Sequence, residues 1–156
     1  MNRHLLCIFL LISASACRTV DRRAFDGVEH ASKAIQAAMD GKTALLPQYR
    51  ELLSAYTAEL AGLRTRATNI RERAVLAEYE TALKSLTDIQ LVWEEKDTRG
   101  SDMLPIREEL AARIAREYDL GVNTNEPPSI YADEAMAAIW NRARGHLTSA
   151  TKLLAG

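Results

Sequence analysis

"TNIRERAVLAEYETALKSLTDIQLVWEEK", Thr68 to Lys96, contains neither glycine nor proline and is dominated by residues that favour helix. Leu76, Tyr79, Leu83, Leu86, Gln90 and Trp93 recur at spacings of three and four, the period of one helix face. Upstream, Tyr49, Leu53, Tyr56, Leu60, Leu63, Ala67, Ile70 and Ala74 keep the same rhythm, but the two stripes are one residue out of phase. Two architectures produce such a slip. A single helix from Thr43 to Lys96 would run about 80 Å and kink at the slip. Alternatively, Asn69 caps a new helix, with Glu72 three residues on as the reciprocal carboxylate, and the chain turns at Thr68-Asn69 to return antiparallel. The continuous, kinked rod is the reading favoured at this level.

The flanking segments are helical in the same way. Phe25, Val28, Ser32, Ile35 and Met39 form a stripe that opens near Thr19 or Asp21 and closes at Asp40-Gly41. "DTRGSD", Asp97 to Asp102, has the composition of a turn, and Pro105 suits the first turn of a short helix marked by Ile106, Leu110, Ile114 and Tyr118 that stops at Gly121. "GVNTNEPPS", Gly121 to Ser129, is a loop. A last helix from about Ala132 carries Met136, Ile139, Trp140, Ala143, Leu147 and Leu154 on its apolar side. No stretch alternates as a strand would. The expected fold is all-α, an antiparallel bundle of four to five helices, with the long kinked helix as one form of it.

The chain has 156 residues, one domain's worth, able to bury roughly 70% of the surface its unfolded form exposes. Twenty Lys and Arg against 21 Asp and Glu leave a formal charge of -1, which argues against a nucleic-acid footprint. The first residues stand apart from the bundle. Met1 to His4 is a short basic start, Leu5 to Ala16 is uncharged, and small residues follow, the layout of an export signal. As a helix the uncharged run reaches only about 18 Å, short of the roughly 30 Å hydrocarbon core. The division expected is therefore a signal peptide over 1–16 and one helical domain over 17–156.

Ala14-Ser15-Ala16 satisfies the small-x-small rule for ordinary signal cleavage, which would release a soluble periplasmic product. Ser13 to Cys17 also resembles the lipobox of bacterial lipoprotein precursors, with Ala14 where leucine is commonest. The resemblance covers the first seventeen residues. It implies cleavage before Cys17, diacylation of its thiol and a bilayer as partner, and two or more acyl chains hold a protein stably where one is marginal. Cys7 would leave with the signal, so Cys17 would otherwise be a lone thiol at an exported N-terminus, and lipidation removes that oddity. Arg18, in place of the aspartate that retains enteric-type lipoproteins at the inner membrane, implies sorting to the outer membrane, facing the periplasm. Beyond the signal, the chain resembles the many helical envelope lipoproteins of uncharacterised role.

No catalytic constellation is apparent. GxSxG, HExxH, a cysteine cluster and a glycine-rich phosphate loop are all missing from the sequence. Asp26 and His30 have i, i+4 spacing and His146 is the other histidine of the domain, but a surface ion pair accounts for them. Glu94-Glu95, Glu108-Glu109 and Asp133-Glu134 are neighbours along a helix and point apart. Arg64, Arg66, Arg71 and Arg73 cluster at the register slip, where they either form a solvated face or meet anionic lipid phosphates. The aromatic residues fit a core, with a groove lined by Trp93 and Trp140 as the functional alternative. These readings lead to a non-enzymatic, lipid-anchored interaction or scaffolding module for an envelope protein partner, without metal or cofactor. The alternative is a lipoprotein that binds a small apolar or aromatic-stacking ligand, such as a lipid, glycan or peptide, between its helices.

Overall fold

The computed structural model describes residues 20–41 and 44–156. Cys17 and the whole of the signal segment lie outside the described residues. After a short 3₁₀ turn at Arg22–Phe25, five helices follow: α1 (Asp26–Asp40), α2 (Leu46–Arg66), α3 (Ile70–Arg99), α4 (Glu109–Glu117) and α5 (Ala132–Ala155). Two three-residue strands, β1 (Met103–Pro105) and β2 (Ser129–Tyr131), pair antiparallel between them. The chain is an all-α antiparallel bundle in which α3 and α5 form the most extensive helix pair, with α2 against α3 and α1 against α2.

The long region is two helices, which overturns the kinked rod. α2 ends at Arg66, Ala67 turns into extended backbone, and Asn69 starts α3. The Asn69 side chain accepts from the backbone N–H of Arg71 at 3.0 Å and of Glu72 at 2.9 Å. Glu72 returns the favour, accepting from the N–H groups of Thr68 at 2.9 Å and Asn69 at 3.2 Å. These bonds satisfy donors that a helix start leaves unpaired, so a break at this point costs little. Ile70, expected on the apolar stripe, is 80% exposed, and Ala74 is exposed as well. The slip in phase was the turn itself.

Two tyrosines of α2 tie it to α3. Tyr49 donates its hydroxyl to the carbonyl of Leu86 at 2.8 Å, and Tyr56 donates to the carbonyl of Tyr79 at 2.9 Å. Each carbonyl sits inside a helix and spends its second lone pair on the phenol. Phe25, Val28, Ile35, Leu60, Leu63, Leu86 and Ile89 close around them, and α5 adds Ile139, Ala143, Leu147 and Ala150. The core runs unbroken from the 3₁₀ turn to Leu154.

α3 continues through "DTR" to Arg99, where Gly100 takes a left-handed conformation (φ 62°) that ends the helix. The residues expected to open the next helix are instead strand β1. Leu104 pairs with Ile130 and Pro105 with Ser129, so both large apolar residues are buried while the proline, which has no N–H to give, closes the ladder. α4 begins only at Glu109 and ends at Glu117. A polar clasp docks it on α3: Asp88, buried at 4% exposure, accepts from the Tyr118 hydroxyl and the Arg113 guanidinium, each at 2.7 Å. Arg142 of α5 lies 4.6 Å over the ring of Tyr118 and covers the clasp.

Candidate functional site

α1 ends, α3 enters its last turns and α5 begins at the same end of the bundle. There the structure brings Trp93 and Trp140 onto one cavity of about 490 Å³. Its walls are Ala38 and Met39 of α1, Trp93 of α3, and Met136, Ala137 and Trp140 of α5, with Ala44 and Asp133 at the margins. Trp93 follows the fully buried Val92 and stands at the edge of the α3 stripe, half-buried. Its ring meets that of Tyr49 at 5.8 Å between centroids, tilted by 41°. Trp140 follows Ile139, and its indole N–H donates to the Asp40 carboxylate at 2.9 Å. Both indoles are therefore braced before anything enters the groove, which lowers the entropy lost on binding.

The charges around the groove are spent on the protein itself. Lys96 donates to Asp133 at 2.6 Å and lies 3.1 Å from Asp102, and the Asp133 hydrogen bond, outweighing partial burial and joined by Asp102, holds the ammonium above the usual lysine range. Glu94 is kept below the ordinary carboxylate range first by the Gln90 amide at 2.7 Å, then by Arg50 at 2.8 Å, with burial opposing. Glu95 pairs with Arg99 at 2.5 Å, and Asp40 has Arg144 at 3.8 Å. The tetrad Trp93-Glu94-Glu95-Lys96 thus presents one aromatic ring to the groove, while Glu94 and Lys96 stitch α3 to α2 and α5 and Glu95 pairs along α3 itself. What remains open to a ligand is apolar, aromatic and rich in thioether.

The other candidates are scattered. Asp26 and His30 line a separate cavity between α1 and α2, whereas His146 of α5 meets Glu78 of α3 at 2.8 Å. Among the described residues no group of three or more His, Cys, Asp or Glu side chains is placed to hold a metal ion. No described helix is long and apolar enough to cross a membrane. Met39 and Met136, read from spacing as core residues, are only partly buried and form groove wall. Asp40, read only as a helix stop, is the brace for Trp140. Spacing within a helix could not reveal either role, because both depend on how α1 meets α5.

No family model, curated protein or solved structure matches the chain.

Proposed function

We propose that this chain is a bacterial lipoprotein, anchored through acylated Cys17 to the outer membrane and facing the periplasm, whose bundle is a non-enzymatic interaction module. The observation that carries the interaction reading is the groove between Trp93 and Trp140, with its apolar walls and self-paired rim. Tryptophan and methionine lining a braced recess suit an apolar side chain presented by an envelope protein, since aromatic anchors seated in pockets supply most of the energy of an interface. The anchor reading rests on Ala14-Ser15-Ala16-Cys17 and on the lone thiol that cleavage would leave.

A photo-crosslinking side chain placed in cells at Ala137, which is exposed on the groove wall, tests the first part. A discrete adduct that disappears with Trp93→Ala, and that the same probe at exposed Thr81 does not form, is the expected result. The groove volume also falls within the roughly 300 to 1,000 Å³ of small-ligand sites, which favours a second reading in which a lipid, glycan or peptide fills it. Tryptophan emission of the purified protein, titrated with lipid and glycan extracts, separates the two. A saturable shift lost in Trp140→Phe supports the ligand, and no shift supports the partner protein. Palmitate labelling that vanishes with Cys17→Ala is expected if the anchor exists, and unchanged membrane fractionation of that variant would sink it.

A further inference from the structure

Three stretches far apart in sequence meet at the end of the bundle opposite the groove. The Asp21 N–H donates to Glu72 at 3.3 Å, so the entering chain sits on the α2–α3 turn. Val20 and Arg22 share a small cavity with Arg71 and Leu154, and Arg71 shares another with Lys152 and Leu153, which brings the end of α5 to the same tip. The tip is basic. Arg22 and Arg23 come from the entering chain, Arg64 and Arg66 from the end of α2, Arg71 and Arg73 from the start of α3, and Lys152 from the end of α5, all of them exposed.

Among the described residues only Arg64 of this set has a carboxylate partner, Glu80 at 2.7 Å. The acids close by are committed: Glu72 is buried against backbone N–H groups, and Asp21 caps the N–H of Arg23. Asp26, one turn after Arg22, and Glu59 line the α1–α2 cavity, so even with these acids counted the cations at the tip outnumber the carboxylates. The helix dipole accounts for cations in the last turns of α2 and α5, but it disfavours Arg71 and Arg73 in the first turn of α3. Beside them stands Ile70, the most exposed large hydrophobic side chain described at 80%, with Leu153 at 44% on the same tip. Long basic side chains interleaved with exposed aliphatic ones match the composition of surfaces that sit at the headgroup boundary of a bilayer.

We infer that this tip is a docking surface for an anionic bilayer: the arginines meet the phosphates of acidic phospholipids while Ile70 and Leu153 enter the headgroup layer. The inference rests on the anchor reading for its place in the cell, because only Arg18 and Thr19 separate Cys17 from Val20. Three residues span about 10 Å at most, so acyl chains and basic tip are held at one surface.

The full chain carrying Cys17→Ser, which cannot be acylated, is sedimented with vesicles of phosphatidylglycerol and phosphatidylethanolamine, and in parallel with vesicles of phosphatidylcholine. Binding to the anionic vesicles should be the stronger and should weaken as salt is raised. Arg71→Gln with Arg73→Gln, both exposed, should lower it roughly thirtyfold and leave binding to phosphatidylcholine unchanged. Arg107→Gln, exposed beyond the other end of α3, should change neither. Equal binding to both vesicles, or a double variant that binds like the parent, overturns the inference. Palmitate labelling of the unsubstituted chain reports on the anchor separately. A labelled protein with no anionic preference loses the docking surface and keeps the anchor, and an unlabelled one with the preference keeps the docking surface alone.

Discussion

Tyr49, Tyr56 and Tyr79 share one core and one level of burial, and they differ in what their hydroxyls meet. Burial pushes all three phenols up, Tyr79 to about 12, so each is a neutral O–H at any working pH. Tyr49 and Tyr56 donate across to α3, whereas the Tyr79 hydroxyl is buried with no partner among the described residues, although its ring packs edge-on against Tyr56 at 6.3 Å. A buried unpaired hydroxyl costs about 1 to 3 kcal/mol, and a paired one contributes about 1 kcal/mol. The same chemical change should therefore have opposite signs. Tyr79→Phe is expected to be neutral or stabilising by about 1 kcal/mol, and Tyr56→Phe to destabilise by about 1 kcal/mol, as read from urea midpoints at constant slope. Equal losses at both positions would mean that Tyr79 has found a donor or acceptor of its own.

At the scale of elements, the α2–α3 turn depends on one carboxylate. Burial alone would raise the Glu72 pKa, but hydrogen bonds from the N–H groups of Thr68, Asn69 and Asp21 and from the Thr68 hydroxyl outweigh it and hold the group below the ordinary glutamate range. A lowered folded value contributes stability that is present above the unfolded pKa of about 4.3 and is lost as pH falls through the lowered value. Glu72→Gln should cost about 1 kcal/mol at neutral pH, and the gap between parent and variant should close as the solution is acidified below that range. Chemical denaturation across pH measures it, and a gap independent of pH would mean that the charge is irrelevant to the cap. Asn69 and Glu72 are both legible in the sequence as a capping pair, yet three residues of turn look like a phase slip within one kinked helix when only spacing is read. The strands were missed for a related reason. Leu104 and Ile130 are each the one buried apolar residue of a strand, with the partner across the ladder, and no local period marks a strand of three. Trp93 and Trp140 were legible as the lining of a candidate groove, while Met39 and Met136 became its walls, and Asp40 the brace of Trp140, only once α1 was placed against α5.

The whole molecule has two unlike ends. α1 and α3 run away from the entering chain and α2 and α5 run back, so the basic tip and the tryptophan groove sit at opposite ends of the bundle. Along α3, Trp93 lies about 35 Å from Ile70 at 1.5 Å per residue, more than the roughly 30 Å of a bilayer's hydrocarbon core. A bundle standing on its basic tip would hold the groove well clear of the membrane, open to a partner on the aqueous side; one lying on its side would bring both ends to the lipid. Liposomes with brominated acyl chains distinguish these, because bromine quenches indole emission only at close range. If Cys17 is acylated as proposed, then in such liposomes Trp93 and Trp140 should emit as strongly as in unbrominated lipid. In a Trp93→Phe, Trp140→Phe background, Ile70→Trp should be quenched and Val122→Trp, an exposed position in the loop before β2, should not. Quenching of the native tryptophans would mean that the groove itself faces the lipid, and its occupant would then be sought among acyl chains before envelope proteins.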